Sequence, residues 1–428
     1  MTTTRVAIAA LVGAGMAAGL GIAGGVAIYN TTDGQVLGGD VPEVTFPVTP
    51  TGVIAVVDGG ANLTSLAAFA IRPASEDAIT GRGGTVVPVP ISADASGGFG
   101  TERLPLNETV NLFGISSIAD EAAVLLGVTI DQVTVVETSD LADVLAPLGT
   151  VDVDLPAAVT DSSGTQLAAA GAGTLGVEQV AAILGAHDPD TTGADRYPID
   201  VAVWSGIAET VAEGLDSPLA RPESAQAAAG AGAVGEAEDL LAQLTSGPIT
   251  VQPLRNAPIV SLDVNPRGVD AVALDRAEVA VVFGHIAPSK VSAPYPGYNF
   301  RIVSHFDDSE LPDGVSALDV AYTATKALIG MESNVLSVDT APGEADSVTV
   351  IEVNDDILVV AAATLGEVFG SVEVRVAETR VAGIDVIVTL GTDYLGRLDM
   401  SSATATTAPA GSAPDSSTVA PDNADGTN

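Results

Sequence analysis

Few side chains in this chain have the type and spacing for chemistry. Asp195-Arg196 is the first candidate, because a guanidinium can hold phosphate oxygens through forked, charge-assisted hydrogen bonds. The same pair also reads as a helix-start acid followed by a solvated arginine. Arg103, in a loop, offers a second guanidinium. His187 lies among Asp188 and Asp190 and reads as a surface histidine at a helix C-terminus. Asp58-Gly59-Gly60 makes a β-turn, and Asp307-Asp308 with Glu310 has the acids but not the spacing of an EF-hand calcium loop. The three histidines (His187, His285, His305) show no HxH or HExxH spacing, which argues against a zinc site. The absence of cysteine excludes disulfides, iron-sulfur clusters and thiol catalysis, and it leaves the redox compartment unassigned. With 55 acidic against 15 basic residues and only two lysines, the surface is strongly negative, which sets nucleic acid partners aside.

The elements that must position these residues follow from the hydrophobic pattern. Val6 to Tyr29 is a run of 24 residues without a charge, preceded by Arg5. As a helix it would extend about 36 Å, enough to cross a hydrocarbon core of roughly 30 Å. The expectation is a single-pass anchor over 1–29 with Met1 cytoplasmic and the bulk outside; a cleaved signal peptide ending near Gly25-Val26-Ala27 is the competing reading. A spacer over 30–50 leads to β-branched runs at Val53–Val57, Leu66–Ile71 and Thr85–Ile91. Helical spacing is predicted for Ile118–Leu126, Gly176–Leu184, Ile199–Leu215 and Pro222–Leu244. Gly127–Pro156 reads as strand, helix, strand, a compact crossover turning back into the sheet at Gly149. Together these predict one α/β sandwich over 51–250. A Pro-punctuated connector over 251–296 then leads to a small α+β domain over 297–396. The Ser/Thr/Ala/Pro-rich tail from 397 to 428 has almost nothing to bury and is expected to be disordered.

Several of these stretches resemble the LytR-CpsA-Psr (LCP) family of bacterial envelope proteins. The likeness is carried by LLGVTIDQVTVVETSDLADVLAPLGTVDVDLP (Leu125–Pro156), by GAGTLGVEQVAAILGAH (Gly171–His187) and by GADRYPIDV (Gly193–Val201). NFRIVSHF (Asn299–Phe306) and IDVIVTLGTDY (Ile384–Tyr394) resemble the small domain that follows in actinobacterial members. The resemblance implies a three-layer α/β sandwich with a mixed sheet. It also implies an activity: moving glycopolymer from polyprenyl pyrophosphate to peptidoglycan, with arginines on the pyrophosphate and carboxylates holding a divalent metal, Mg²⁺.

The residues that would do that chemistry are mostly replaced. Ile91 stands where the family has an arginine and Ser92 where it has an aspartate; Gly185 and His187 stand at an arginine pair, and Ile199 at a final arginine. Asp195 and Arg196 match. The roles the resemblance implies are therefore Arg196, Asp195 and Arg103 as catalytic, His187 as substrate-binding and Asp58 as metal-binding. Its first implication is an exported homologue that binds a polyprenyl-phosphate lipid, a cell-wall glycopolymer or an envelope partner without catalysis. The alternatives are a divergent, active phosphotransferase using Arg103, Arg196 and Asp58, and a structural envelope module.

Overall fold

The computed structural model describes residues 42–73, 82–96, 102–186, 191–212, 214–220, 239–398 and the backbone of 227–229. The expected anchor, most of the spacer, His187 and the tail beyond 398 lie outside these residues. Among the described residues no helix is long and apolar enough to cross a membrane.

The chain opens with a short strand, Glu43–Val44 (β1), and enters the first domain at Thr51–Val57 (β2), Leu63–Ile71 (β3) and Gly84–Val89 (β4). Helices Leu106–Phe113 (α1) and Ile118–Leu126 (α2) follow, then strand Gln132–Glu137 (β5), helix Thr138–Leu145 (α3) and strand Thr150–Leu155 (β6). After a small pair, Val159–Thr160 (β7) and Gln166–Ala168 (β8), come strand Gly171–Gly176 (β9) and helices Val177–Leu184 (α4) and Gly193–Val211 (α5). Ala227–Ala229 (β10), helix Leu240–Thr245 (α6) and Ile249–Val251 (β11) complete this part.

The central sheet has six strands in the order β10-β5-β2-β3-β4-β11. It is mixed: β2 runs parallel to β5 and antiparallel to β3, while β4 runs parallel to β11. Both β2 and β3 are buried along their whole length, which is why Val53–Val57 and Leu66–Ile71 read as unbroken apolar runs. Alternate side chains feed two cores. Val53, Ala55, Leu66 and Val87 face α1 and α2, while Ile54, Val56, Phe69 and Val86 face α3, α4, α5 and α6. The domain is a three-layer α/β sandwich.

Two expectations fail here for identifiable reasons. The crossover from β5 through α3 does not return to the sheet, because β6 pairs antiparallel with β9 in a separate two-stranded ribbon packed on α5. Its pattern explains this: Val151, Val153 and Leu155 are buried while Asp152 and Asp154 are exposed, so the strand tolerates cover on one face only. Of the predicted helix over Pro222–Leu244, the stretch from Leu240 is helical, with Asp239 capping the backbone N–H groups of Leu241 and Ala242, and 222–226 and 230–238 lie outside the described residues. Ala227–Ala229 instead pairs with β5 as an edge strand, helix-favouring alanines notwithstanding.

The stretch 251–296, expected as a connector, is built into the molecule. Hairpin strands Asn256–Pro258 (β12) and Val272–Leu274 (β13) lead into helix Arg276–Ile286 (α7). Phe283, Val279 and Val282 of α7 join the first domain's α1/α2 core, while Val281 joins the core of the second domain. The expected spacer is also engaged near its end: β1 pairs in parallel with Arg380–Val381, and the Thr49 N–H donates to Ser289 Oγ.

The second domain starts with strand Asn299–Val303 (β14), followed by helix Ala317–Ile329 (α8) and strands Asn334–Asp339 (β15) and Thr349–Val353 (β16). Short helices Val359–Ala363 (α9) and Gly366–Phe369 (α10) precede strands Val372–Val376 (β17), Arg380–Val381 (β18) and Val386–Thr389 (β19). The five-stranded sheet β15-β14-β19-β16-β17 is parallel except where β16 meets β19. Ser316 and Asp319 form a reciprocal capping box at the start of α8, the local signal that places this helix in the sequence.

Candidate functional site

Of the residues singled out for phosphate chemistry, Asp195 and Arg196 stand in the first turn of α5, and Arg103 pairs with Asp94 beyond the C-terminal end of β4. Thr192 caps α5, its hydroxyl oxygen accepting from the Asp195 N–H, and Asp195 Oδ2 in turn accepts the Thr192 hydroxyl at 2.7 Å. Asp195 is thus part of the helix start, one of its two sequence readings. Gly193 permits a close approach: a Cβ there would stand 1.9 Å from Ser92 Oγ, so α5 begins in direct contact with Ser92, three residues beyond β4.

Arg196 is not solvated. It is 9% exposed, and its Nη2 donates to the Ile183 carbonyl at 2.6 Å and pairs with Asp200 Oδ1 at 2.9 Å, one turn along the helix. Asp200 is buried, and burial pushes its carboxyl up to about 6 against the opposing pull of the Arg196 guanidinium. Arg103 is equally enclosed: Nη1 pairs with Asp94 Oδ2 at 3.0 Å and Nε donates to the Val264 carbonyl at 2.7 Å. Arg103 thus gives two nitrogens to protein oxygens and Arg196 one, Nη2, while the buried Arg196 Nε has no hydrogen-bond partner.

The N-terminus of α5 is itself occupied. Its first N–H, from Gly193, donates to Asp270 Oδ2 at 2.6 Å. Helix N-termini attract anions through free N–H groups and the helix dipole, and here a carboxylate of the chain fills that place. Asp270 comes from beyond β12 and is 77 residues from Gly193; no local pattern announces it. Asp200 was legible in principle from its i,i+4 spacing to Arg196.

The described residues offer a divalent metal no ligand set. Asp58 lies in the turn between β2 and β3, where Oδ1 accepts the N–H groups of Gly60 at 2.8 Å and Asn62 at 2.9 Å, and Asn62 Nδ2 donates to Oδ2 at 2.9 Å. Among the described residues no group of three or more histidines and acids could hold an ion. Asp58→Ala is accordingly expected to lower unfolding stability by about 1 kcal/mol through loss of turn hydrogen bonds. Thermal melts should show the same loss with and without millimolar Mg²⁺.

Two spaces lie along the later turns of α5. Between the sheet and α3, α5 and α6, an apolar void of about 10 Å³ is lined by Ile54, Val86, Val144, Trp204 and Leu241 among others. That is room for one water-sized sphere, not for a lipid chain. Over β6, β9 and α5 lies an open groove of about 610 Å³, lined by Asp152, Asp154, Thr174, Ser205 and Glu209 together with Gly173 and Gly206. A Cβ on Gly206 would stand 2.3 Å from the Asp152 carbonyl oxygen, so the glycine lets α5 lie against the ribbon backbone.

The chain is similar to a solved LytR-Csp2A-Psr enzyme. That protein, from Actinomyces oris, is 18% identical over 56% of this chain and 94% of its own, with a TM-score of 0.38. TagV of B. subtilis is 12% identical over 55% of this chain and 94% of its own, with a TM-score of 0.40. A structure of TagT bound to LIIa-WTA is 15% identical over 55% and 88%, with a TM-score of 0.38. No family model and no curated protein matches the chain.

Proposed function

We propose that this is an exported cell-envelope protein on an LCP-like scaffold, held to the membrane by Val6–Tyr29, that binds cell-wall material without transferring it. The carrying observation is the state of the two remaining arginines. Arg196 is committed to Asp200 and Ile183, and Arg103 to Asp94 and Val264, both below the surface. Freeing either guanidinium would leave a buried carboxylate unpaired, and Asp270 already fills the anion-attracting end of α5.

The binding surface in this reading is the open groove on β6, β9 and α5. Its carboxylates and hydroxyls can accept hydrogen bonds from sugar hydroxyls, and Gly173, where a Cβ would meet nothing, permits close approach. Three acids in one groove favour an uncharged or cationic stretch of glycopolymer over a phosphate-rich one. Incubating the purified chain with polyprenyl-pyrophosphate-linked glycopolymer, peptidoglycan and Mg²⁺ tests the proposal. Transfer is expected to stay at the level of a chain-free control. Robust transfer that disappears in a folded Arg196→Ala variant would overturn it.

A further inference from the structure

The junction between the two domains carries a second cluster of charge, remote in role from the arginines above. Arg255 follows β11, and its neighbour Leu254 is anchored to the first domain by a hydrogen bond from its N–H to Tyr197 Oη at 2.6 Å. The Arg255 side chain reaches two helix starts. Nη2 pairs with Asp319 Oδ1, in the capping box of α8, at 2.9 Å. Nε lies 3.5 Å from Glu278 Oε1 in the first turn of α7, an ionic contact longer than a hydrogen bond. The Arg255 backbone N–H donates to the other Glu278 oxygen. Its carbonyl accepts the N–H of Asp275, the cap of α7. From α8, the Tyr322 hydroxyl donates to Asp275 Oδ2 at 2.6 Å, and its ring lies 4.4 Å beneath the Arg255 guanidinium. Lys326 Nζ closes the cluster, 3.3 Å from Tyr322 Oη.

We infer that Arg255 and the carboxylates it gathers form a pH-sensitive clasp that sets how firmly the second domain's α8 is held against α7 and the first domain. Every element packed around Glu278 contributes a charged or titratable group. Arg255 comes from the strand-to-hairpin segment, Asp275 from the start of α7, Asp319, Tyr322 and Lys326 from α8, and Tyr197 from α5, whose own ionisation Glu278 opposes. His285 sits two turns further along α7, its ring nitrogen bonded to the Val338 carbonyl.

Glu278 is the member poised to titrate. Burial is the largest influence on it and outweighs the pull of Arg255, with Asp275 and Asp319 adding repulsion; together they push its carboxyl up to about 7. An acid raised in the closed arrangement and released to its ordinary value of 4.5 in an open one favours closure below that ordinary value. The advantage is lost as pH rises through 7. The clasp therefore holds more firmly in mildly acidic surroundings. It loosens toward alkaline pH, where the charged carboxylate bears its desolvation and the repulsion of two neighbouring acids.

Native-state hydrogen exchange, corrected for intrinsic amide chemistry, reads this directly from amides of α7 and α8. For a group moving between about 7 closed and 4.5 open, the opening constant is expected to rise about tenfold from pH 6 to pH 8. Glu278→Gln, which keeps the shape of the protonated acid, is expected to abolish that rise and hold the low opening constant at both pH values. Arg255→Ala is expected to raise opening at both. The same pH-dependent rise in Glu278→Gln as in the wild type, or none in the wild type, would overturn the inference. If Arg255→Ala does not fold, the Glu278→Gln comparison still decides.

Discussion

Arg196→Ala is expected to lower unfolding stability by about 3–5 kcal/mol, the penalty for leaving a buried acid without its counter-charge. Asp200 is 1% exposed and has Arg196 as its ion-pair partner. The double replacement Arg196→Met with Asp200→Leu is expected to be neutral or stabilising, because two long apolar side chains of similar volume carry no desolvation penalty. Urea midpoints of the wild type, Arg196→Met, Asp200→Leu and the double variant form a complete cycle. The pH behaviour points the same way. Burial raises the Asp200 carboxyl from 3.8 to about 6, so its contribution to stability is fullest below 3.8 and is lost as pH rises through 6. A pair held for stability by attraction alone would lower the acid instead. This arrangement fixes α5 against α4 through the Ile183 carbonyl, a geometric role rather than a catalytic one.

Phe283→Ala should be comparably severe, at about 3–5 kcal/mol, and the loss should be felt in the first domain as well as the second. Phe283 is 1% exposed and shares a core with Val53 and Ala55 of β2 and Leu126 of α2, although it follows the Pro-punctuated hairpin. A drop in exchange protection across both β2 and β14 would establish α7 as common structure. Unchanged stability would return it to the status of a linker.

The contrast between these two sites explains what could be read from the sequence. The central strands were legible because burial on both faces leaves unbroken apolar runs, as in Val53–Val57 and Leu66–Ile71. Gly127 ends α2 in the left-handed region, and Ser316 caps α8; both are local signals and both were readable. Helix α7 was not, because Val279, Val281, Val282 and Phe283 serve two cores at once and leave no polar stripe to give a helical period. For β6, the alternation of Asp152 and Asp154 with Val151 and Val153 already carried the mark of a one-faced strand, which the crossover reading passed over. At the site, Arg196 was identified but its partner was not, although Asp200 stands one helical turn away. Asp270 and Asp94 reach Gly193 and Arg103 through the tertiary fold, and such pairings leave no trace in local pattern.

Arg196 is predicted to be structural rather than catalytic. Glycopolymer transfer from polyprenyl pyrophosphate to peptidoglycan, measured with Mg²⁺ for the wild type and the folded Arg196→Met/Asp200→Leu variant side by side, tests this most directly. Both proteins are predicted to give the same rate as a chain-free control. Transfer by the wild type that falls by about a hundredfold or more in the double variant, the loss typical of a removed transition-state contact, would contradict it.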